Sequence, residues 1–216
     1  DDVVEKWGAD AFRIYEMFMG PLEATKPWKT DAITGSHRFL KRMWRLLINE
    51  DGTPAQGEQQ PSDAINKLLH KTIKKVTQDT ESMRFNTAIA SMMEWLNAAH
   101  KEAHIGKQGA ESIILLLAPY APHMAEELWS RYNHTTSLAY ATWPAYDEAM
   151  CKEDNVTISL QVNGKFRGTV EVAKSSSKDE VLALAKEVPA VKKQLENKTI
   201  RKEIYVPGKI VNFVAH

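Results

Sequence analysis

Apolar residues recur at helical spacing through roughly the first 135 residues and at strand spacing beyond residue 155. "DDVVEKW" and "ADAFRIYEMF" predict two helical stretches around Gly8. Over 33–47, Ile33, Leu40, Met43, Trp44 and Leu47 share one face at about 100° per residue, which predicts a helix. The polar run 50–61, "EDGTPAQGEQQP", predicts a loose, locally acidic loop without core residues. Ser62 suits the N-cap of the next helix, which turns Ile65, Leu68, Leu69, Thr72, Ile73 and Val76 inward. A further helix over 86–100 points Ile89, Met92, Met93 and Leu96 inward. In "LLLAPYAPHMAEELW", Pro119 ends one helix and Pro122 fits the first turn of another. Together these elements predict an antiparallel helical bundle.

The period changes after the connector "TWPAYDEAM". Ile158, Leu160 and Val162 alternate with Thr157, Ser159 and Gln161, and then comes Asn163-Gly164. That pair is the strongest short-range hairpin signal, because a type I′ turn needs positive φ at both central residues. Alternation carried across the turn places Phe166, Val170 and Val172 inside and Lys165 and Arg167 outside. Two short helices, "SKDEVLALAKEV" and "AVKKQLE", precede the strands "TIRKEIYV" and "KIVNFVA", hinged at Pro207-Gly208. The fold class is therefore mostly α, a helical bundle followed by a small α+β domain.

Charge sharpens this picture. The 216 residues carry no formal net charge, yet residues 156–216 hold 11 Lys/Arg against 6 Asp/Glu. A basic tail of this size suits an anionic partner. The single cysteine, Cys151, excludes an internal disulfide and a multi-cysteine zinc site, and fits a reducing compartment. It sits in the connector with nothing to activate it as a nucleophile. Asn133, Asn155 and Asn197 open glycosylation-like triplets, read as coincidence without other signs of secretion. No apolar run approaches the ~20 residues of a membrane span, so no membrane partner is expected. The opening, which has no Met, is that expected of a piece of a longer protein.

Two cationic stripes and the hairpin are the main candidate sites. Arg38, Lys41, Arg42 and Arg45 fall within an arc of about 100° opposite the apolar face of 33–47. A solvated helix face explains them equally well, but three guanidinium forks suit phosphate. Lys67, Lys71, Lys74 and Lys75 form a weaker copy, for which a solvated face is favoured. Lys165 and Arg167 either dock an anionic ligand or discourage edge pairing. "HKEAH" (100–104) spaces two histidines four apart, but Lys101 stands where a metalloprotease needs its Glu, so it reads as a surface helix.

Five segments, "GADAFRIYEMFMGPLEATKPW", "GSHRFLKRMWRL", "RFNTAIASMMEWLN", "LLAPYAPHMAEELW" and "LQVNGKFRG…TIRKEIYVPGKIVNFV", resemble in order the C-terminal part of bacterial-type leucyl-tRNA synthetases. The "LAPYAPHMAEELW" pattern is shared with valyl, isoleucyl and methionyl relatives, whereas the hairpin joined to "IYVPGKIVN" is specific to the leucyl branch. The resemblance implies a stem-contact segment over 1–30, a bundle of anticodon-binding type with its connector over 31–150, and a tRNA-binding α+β domain over 151–216. It also implies that the catalytic and editing domains lie upstream. Leucine, ATP and Mg2+ would be handled there, with no cofactor in this piece and no catalytic residue. The expected partner is tRNA(Leu), contacted through Arg38, Lys41, Arg42, Arg45, Lys165, Arg167, Arg201, Lys202 and Lys209. A cytoplasmic monomer is expected. The alternatives are the equivalent region of a valyl or isoleucyl enzyme, and a free-standing RNA-binding module or helical adapter.

Overall fold

Gly8 separates α1 (Asp2–Trp7) from α2 (Ala9–Phe18), and its φ of 84° lies where a side chain would be strained. The computed structural model describes residues 2–152, 155–196 and 198–216. Asp1 of the opening helix, residues 153–154 of the connector and Asn197 of the third triplet lie outside the described residues. The chain divides into two units, Asp1–Cys151 and Lys152–His216.

In the first unit α3 (Ile33–Leu47), α4 (Asp63–Glu81), α5 (Phe85–Ala99), α6 (Lys107–Leu117) and α7 (Pro122–Arg131) form the bundle, and α8 (Glu148–Cys151) closes it. Ile33, Leu40, Met43 and Leu47 are buried as the spacing predicts, joined by Phe39 and Leu46. Trp44 is only half-buried, under the guanidinium of Arg131. Ser62 caps α4 by accepting from the Ile65 amide, and Pro122 opens α7. The carboxylate of Asp10, on α2, accepts from the amides of His123 and Met124 and so caps α7 from across the fold. Trp95, Tyr120, Ile14, Met43 and Ile73 fill the interior at 2% exposure or less.

Two expectations fail here for the same reason. The 50–61 loop is not loose. Its Gln56 side chain donates to the Leu46 carbonyl and accepts from the Ile105 amide, and Gly57 O accepts from Lys107 N. Residues 100–104 are a turn rather than a helix, since α5 ends at Ala99. Polar side chains and backbone groups hold both segments, and an apolar periodicity does not register them.

Asp79 is the buried charge of the α4–α5 corner. Its carboxylate, 1% exposed, accepts from Thr87 Oγ1 at 2.6 Å and Arg84 Nε at 3.0 Å and pairs with Lys75. Burial alone would raise its pKa, but these three partners together hold it below the ordinary carboxylate value.

The second unit is a four-stranded sheet of β1 (Asn155–Val162), β2 (Lys165–Ala173), β3 (Ile200–Val206) and β4 (Ile210–Ala215) in the order β2-β1-β4-β3. β1 and β4 run parallel, and the other neighbours are antiparallel. Helices α9 (Lys178–Glu187) and α10 (Pro189–Leu195) pack on the sheet, and α9 starts with a reciprocal Ser177–Glu180 capping box. Ile158, Leu160, Val162, Val211 and Phe213 meet Val181, Leu182, Ala185 and Val191 in its core.

The predicted alternation in β2 breaks at a bulge. Asn163 and Gly164 take φ of 51° and 73°, as a type I′ turn requires. Leu160 then pairs with Gly168 and Gln161 with Phe166, leaving Arg167 as the extra residue. Phe166, expected inside, shares the face of Gln161 and is 63% exposed. Arg167, expected outside, is half-buried, with its Nε enclosed. Gly168, at φ 145°, makes the bend.

Candidate nucleic-acid interface

The four cations of α3 are not equivalent. Arg38, Lys41 and Arg45 are exposed and, among the described residues, make no hydrogen bond or ion pair. Arg42 is half-buried, and its Nη1 donates to Asn97 Oδ1 of α5 at 2.7 Å. Burial and the Arg42 charge hold the pKa of nearby His100 below its ordinary value. Arg42 therefore belongs to the α3–α5 packing, while its three neighbours are exposed to solvent. Like charges on successive turns repel in the free protein, and neutralising phosphates relieve that repulsion.

The α4 stripe has another use. Lys74 pairs with Glu148 at 2.8 Å and lies 5.7 Å from the Tyr146 ring centre, while Lys75 is taken by Asp79. Trp143 Nε1 donates to Thr77 Oγ1 at 2.8 Å, and the Asp147 amide donates to His70 Nδ1 at 3.1 Å. One side of α4 is thus the seat of the connector, residues 143–151. Cys151 ends that seat, and burial pushes its thiol pKa up.

In the second unit, the register sorts the remaining cations. Asn163 Nδ2 donates to Ala215 O and its Oδ1 accepts from the Ala215 amide, tying the hairpin tip to the end of β4. Lys202 pairs across from Val214, and Arg201 is the extra residue of a second bulge beside it. Lys165, Arg201 and Lys202 therefore gather at one end of the sheet. Lys209, in the turn after Val206, lies at the opposite end. Arg201 Nε donates to His216 Nε2 at 2.8 Å, whereas Lys165 and Lys202 are exposed.

The sheet face opposite the buried core residues presents Gln161, Phe166, Lys202, Ile204 and Asn212. An exposed ring among amides and a lysine can stack on a base or ribose. Sequence reasoning missed this face because it placed Phe166 in the core. It also missed Lys26 and Lys29, which the aperiodic 19–32 segment brings beside Arg38. Among the described residues no three His, Cys, Asp or Glu side chains converge to hold a metal ion. Among the same residues no helix is long and apolar enough to cross a membrane.

Residues 63–182 match the family described as the anticodon-binding domain of tRNA ligase. The chain is 50% identical over 214 residues to a leucine–tRNA ligase from Prosthecochloris aestuarii, covering 99% of this chain and 27% of that protein. It is 48% identical to one from Chlorobaculum tepidum, covering 99% of this chain and 26% of the relative. The chain thus spans about a quarter of the length of the curated relatives it matches. A solved ternary complex of Agrobacterium radiobacter K84 agnB2 LeuRS with tRNA and LeuAMS superposes with a TM-score of 0.73 at 27% identity, over 100% of this chain and 30% of that chain.

Proposed function

Because the chain belongs to the family of anticodon-binding domains of tRNA ligases, we propose that it is the tRNA-binding C-terminal quarter of a leucine–tRNA ligase. The observation that carries this reading is the set of unpaired cations Arg38, Lys41 and Arg45 on one helix face. The basic second unit, with Lys165, Lys202 and the Phe166 ring exposed, supports it. Both surfaces suit recognition of RNA shape through phosphate and ribose, with aromatic contact to exposed bases.

The parent enzyme, in this reading, activates leucine with ATP, releases pyrophosphate and passes the leucyl group to tRNA(Leu). ATP, Mg2+ and the editing site belong to domains outside this chain, whose own residues bind and orient the tRNA. We place the parent in the cytoplasm as a monomer.

Fluorescence anisotropy with labelled tRNA(Leu) tests the proposal. Binding by this chain should weaken steeply with salt, with a log–log slope near −0.9 per phosphate neutralised. Leucine-dependent pyrophosphate exchange by the chain alone should stay at the blank. Absence of salt-sensitive tRNA binding would overturn the reading, and exchange above the blank would overturn the placement of the chemistry.

A further inference from the structure

A cleft of about 550 Å3 opens where α2, the 19–32 segment and the start of α3 meet Met93 of α5. Tyr15, Phe18, Met19 and Met93 make its floor, and Lys26, Lys29 and Arg38 stand around it. Among the described residues that line it there is no carboxylate.

The walls are built rather than incidental. The Tyr15 hydroxyl bonds both the amide and the carbonyl of Lys29 at 3.0 Å, fixing the segment that carries that lysine. Lys26 Nζ donates to Pro21 O at 2.7 Å. Tyr15 also meets Trp28 edge to face at 4.9 Å. Gly35 leaves the cleft open: a Cβ built there meets nothing within 4 Å. Phe18 keeps 39% of its surface exposed at the floor.

We propose that this cleft takes a single unpaired nucleotide of RNA, its base against Phe18 and Met93 and its phosphate among Lys26, Lys29 and Arg38. The inference rests on the tRNA-binding reading above and deepens it. Three cations with no matching carboxylate among the described lining residues call for an anionic occupant. An apolar floor beneath them calls for a flat apolar face on the same occupant, and a nucleotide offers both. Arg38 belongs at once to the cleft and to the exposed α3 face, so the two surfaces are continuous. A helical stem on α3 would lead a bulged residue into the cleft.

The test compares two RNA hairpins of equal length and charge, one fully paired and one with a single bulged nucleotide, binding to the full chain. Stacking of one base predicts about a tenfold preference for the bulged hairpin. Gly35→Leu fills the cleft, removes no charge and raises helix propensity. It should abolish the preference while leaving affinity for the paired hairpin unchanged. Phe18→Ala should do the same, and it keeps the test decisive if Gly35→Leu misfolds by circular dichroism. Lys41→Ala with Arg45→Ala should weaken both hairpins and keep the preference. Equal binding of the two hairpins by the parent chain would overturn the nucleotide cleft and leave the tRNA reading standing. That is also the result expected if the cleft seats a segment of protein instead. Failure to bind either hairpin, or tRNA, would overturn the functional reading itself.

Discussion

Arg42 and Asn97 join α3 to α5 through a 2.7 Å hydrogen bond, and that bond removes one arginine from a stripe of four cations. The other three cations of the stripe are exposed, so the binding role proposed for them is separate from the packing role of Arg42.

Changing Arg38, Lys41 and Arg45 together to Ala should weaken tRNA binding and flatten its salt dependence by up to about 1 log–log unit per lost contact. The thermal midpoint should stay within a degree or two of the parent, since exposed sites lose little. Arg42→Ala should reverse the pattern, costing about 1 kcal/mol of stability in urea titration with a smaller change in tRNA affinity. An unchanged salt slope in the triple variant would reduce the stripe to a solvated face.

Asp79 makes the bundle sensitive to acid. Its pKa in the folded state is held below the ordinary 3.8. Its partners therefore contribute stability that is fully present above that ordinary value and is lost as pH falls through the folded one. Asp79→Ala should cost about 1–3 kcal/mol near neutral pH, because Thr87, Arg84 and Lys75 lose their shared charged acceptor. Urea midpoints at pH 7 and pH 3 should differ less in Asp79→Asn than in the parent. An equal shift in both proteins would assign the acid sensitivity elsewhere.

The hairpin cations should also separate. Lys165→Ala should lower aminoacylation of tRNA(Leu) by the full-length enzyme at subsaturating tRNA, leaving pyrophosphate exchange and stability unchanged. Removing one charge-assisted contact predicts a loss of about 1–3 kcal/mol in apparent tRNA affinity. Arg167→Ala should instead lower the melting temperature of the second unit, because its stem is half-buried at the bulge. Equal aminoacylation by Lys165→Ala and the parent would leave Lys165 as edge protection.

Gly168→Ala asks whether the bulge is required. A φ of 145° strains any Cβ, although the nearest side-chain atom, Val188 Cγ1, is 3.8 Å away. The substitution should destabilise the second unit by about 1–3 kcal/mol through backbone strain rather than a clash. Proton shifts of Phe166 and Arg167 report the register directly. A spectrum matching the parent at both residues, with no loss of stability, would contradict the strain.

Much of the architecture follows from periodicity. The buried face of α4 runs through Ile65, Leu69, Thr72, Ile73 and Val76 as their spacing requires, and the Asn163-Gly164 turn has the conformation its residues demand. The failures arise where periodicity is silent. Strict alternation misassigned Phe166 because the bulge adds a residue, although Gly168 within a strand is the usual mark of one. Helix-face arithmetic grouped Arg42 with Arg38 and could not separate them, since Asn97 lies 55 residues away in sequence. The Lys74 stripe read as solvated because its partner Glu148 sits in a connector without a pattern. The two hairpin cations were likewise paired by alternation and are parted by the bulge, which leaves Lys165 exposed and Arg167 half-buried.

The strand order β2-β1-β4-β3 places β4, the fourth of these strands in sequence, between β1 and β3. No shorter nascent chain can close this sheet, because β3 pairs only with β4 and the hairpin tip is clasped by Ala215. At a synthesis rate of about 5–20 residues per second, the helical unit has several seconds to fold on the ribosome before residues 210–215 emerge. The basic unit closes only after they do. The sheet of the second unit is therefore completed only after the whole helical unit has been made.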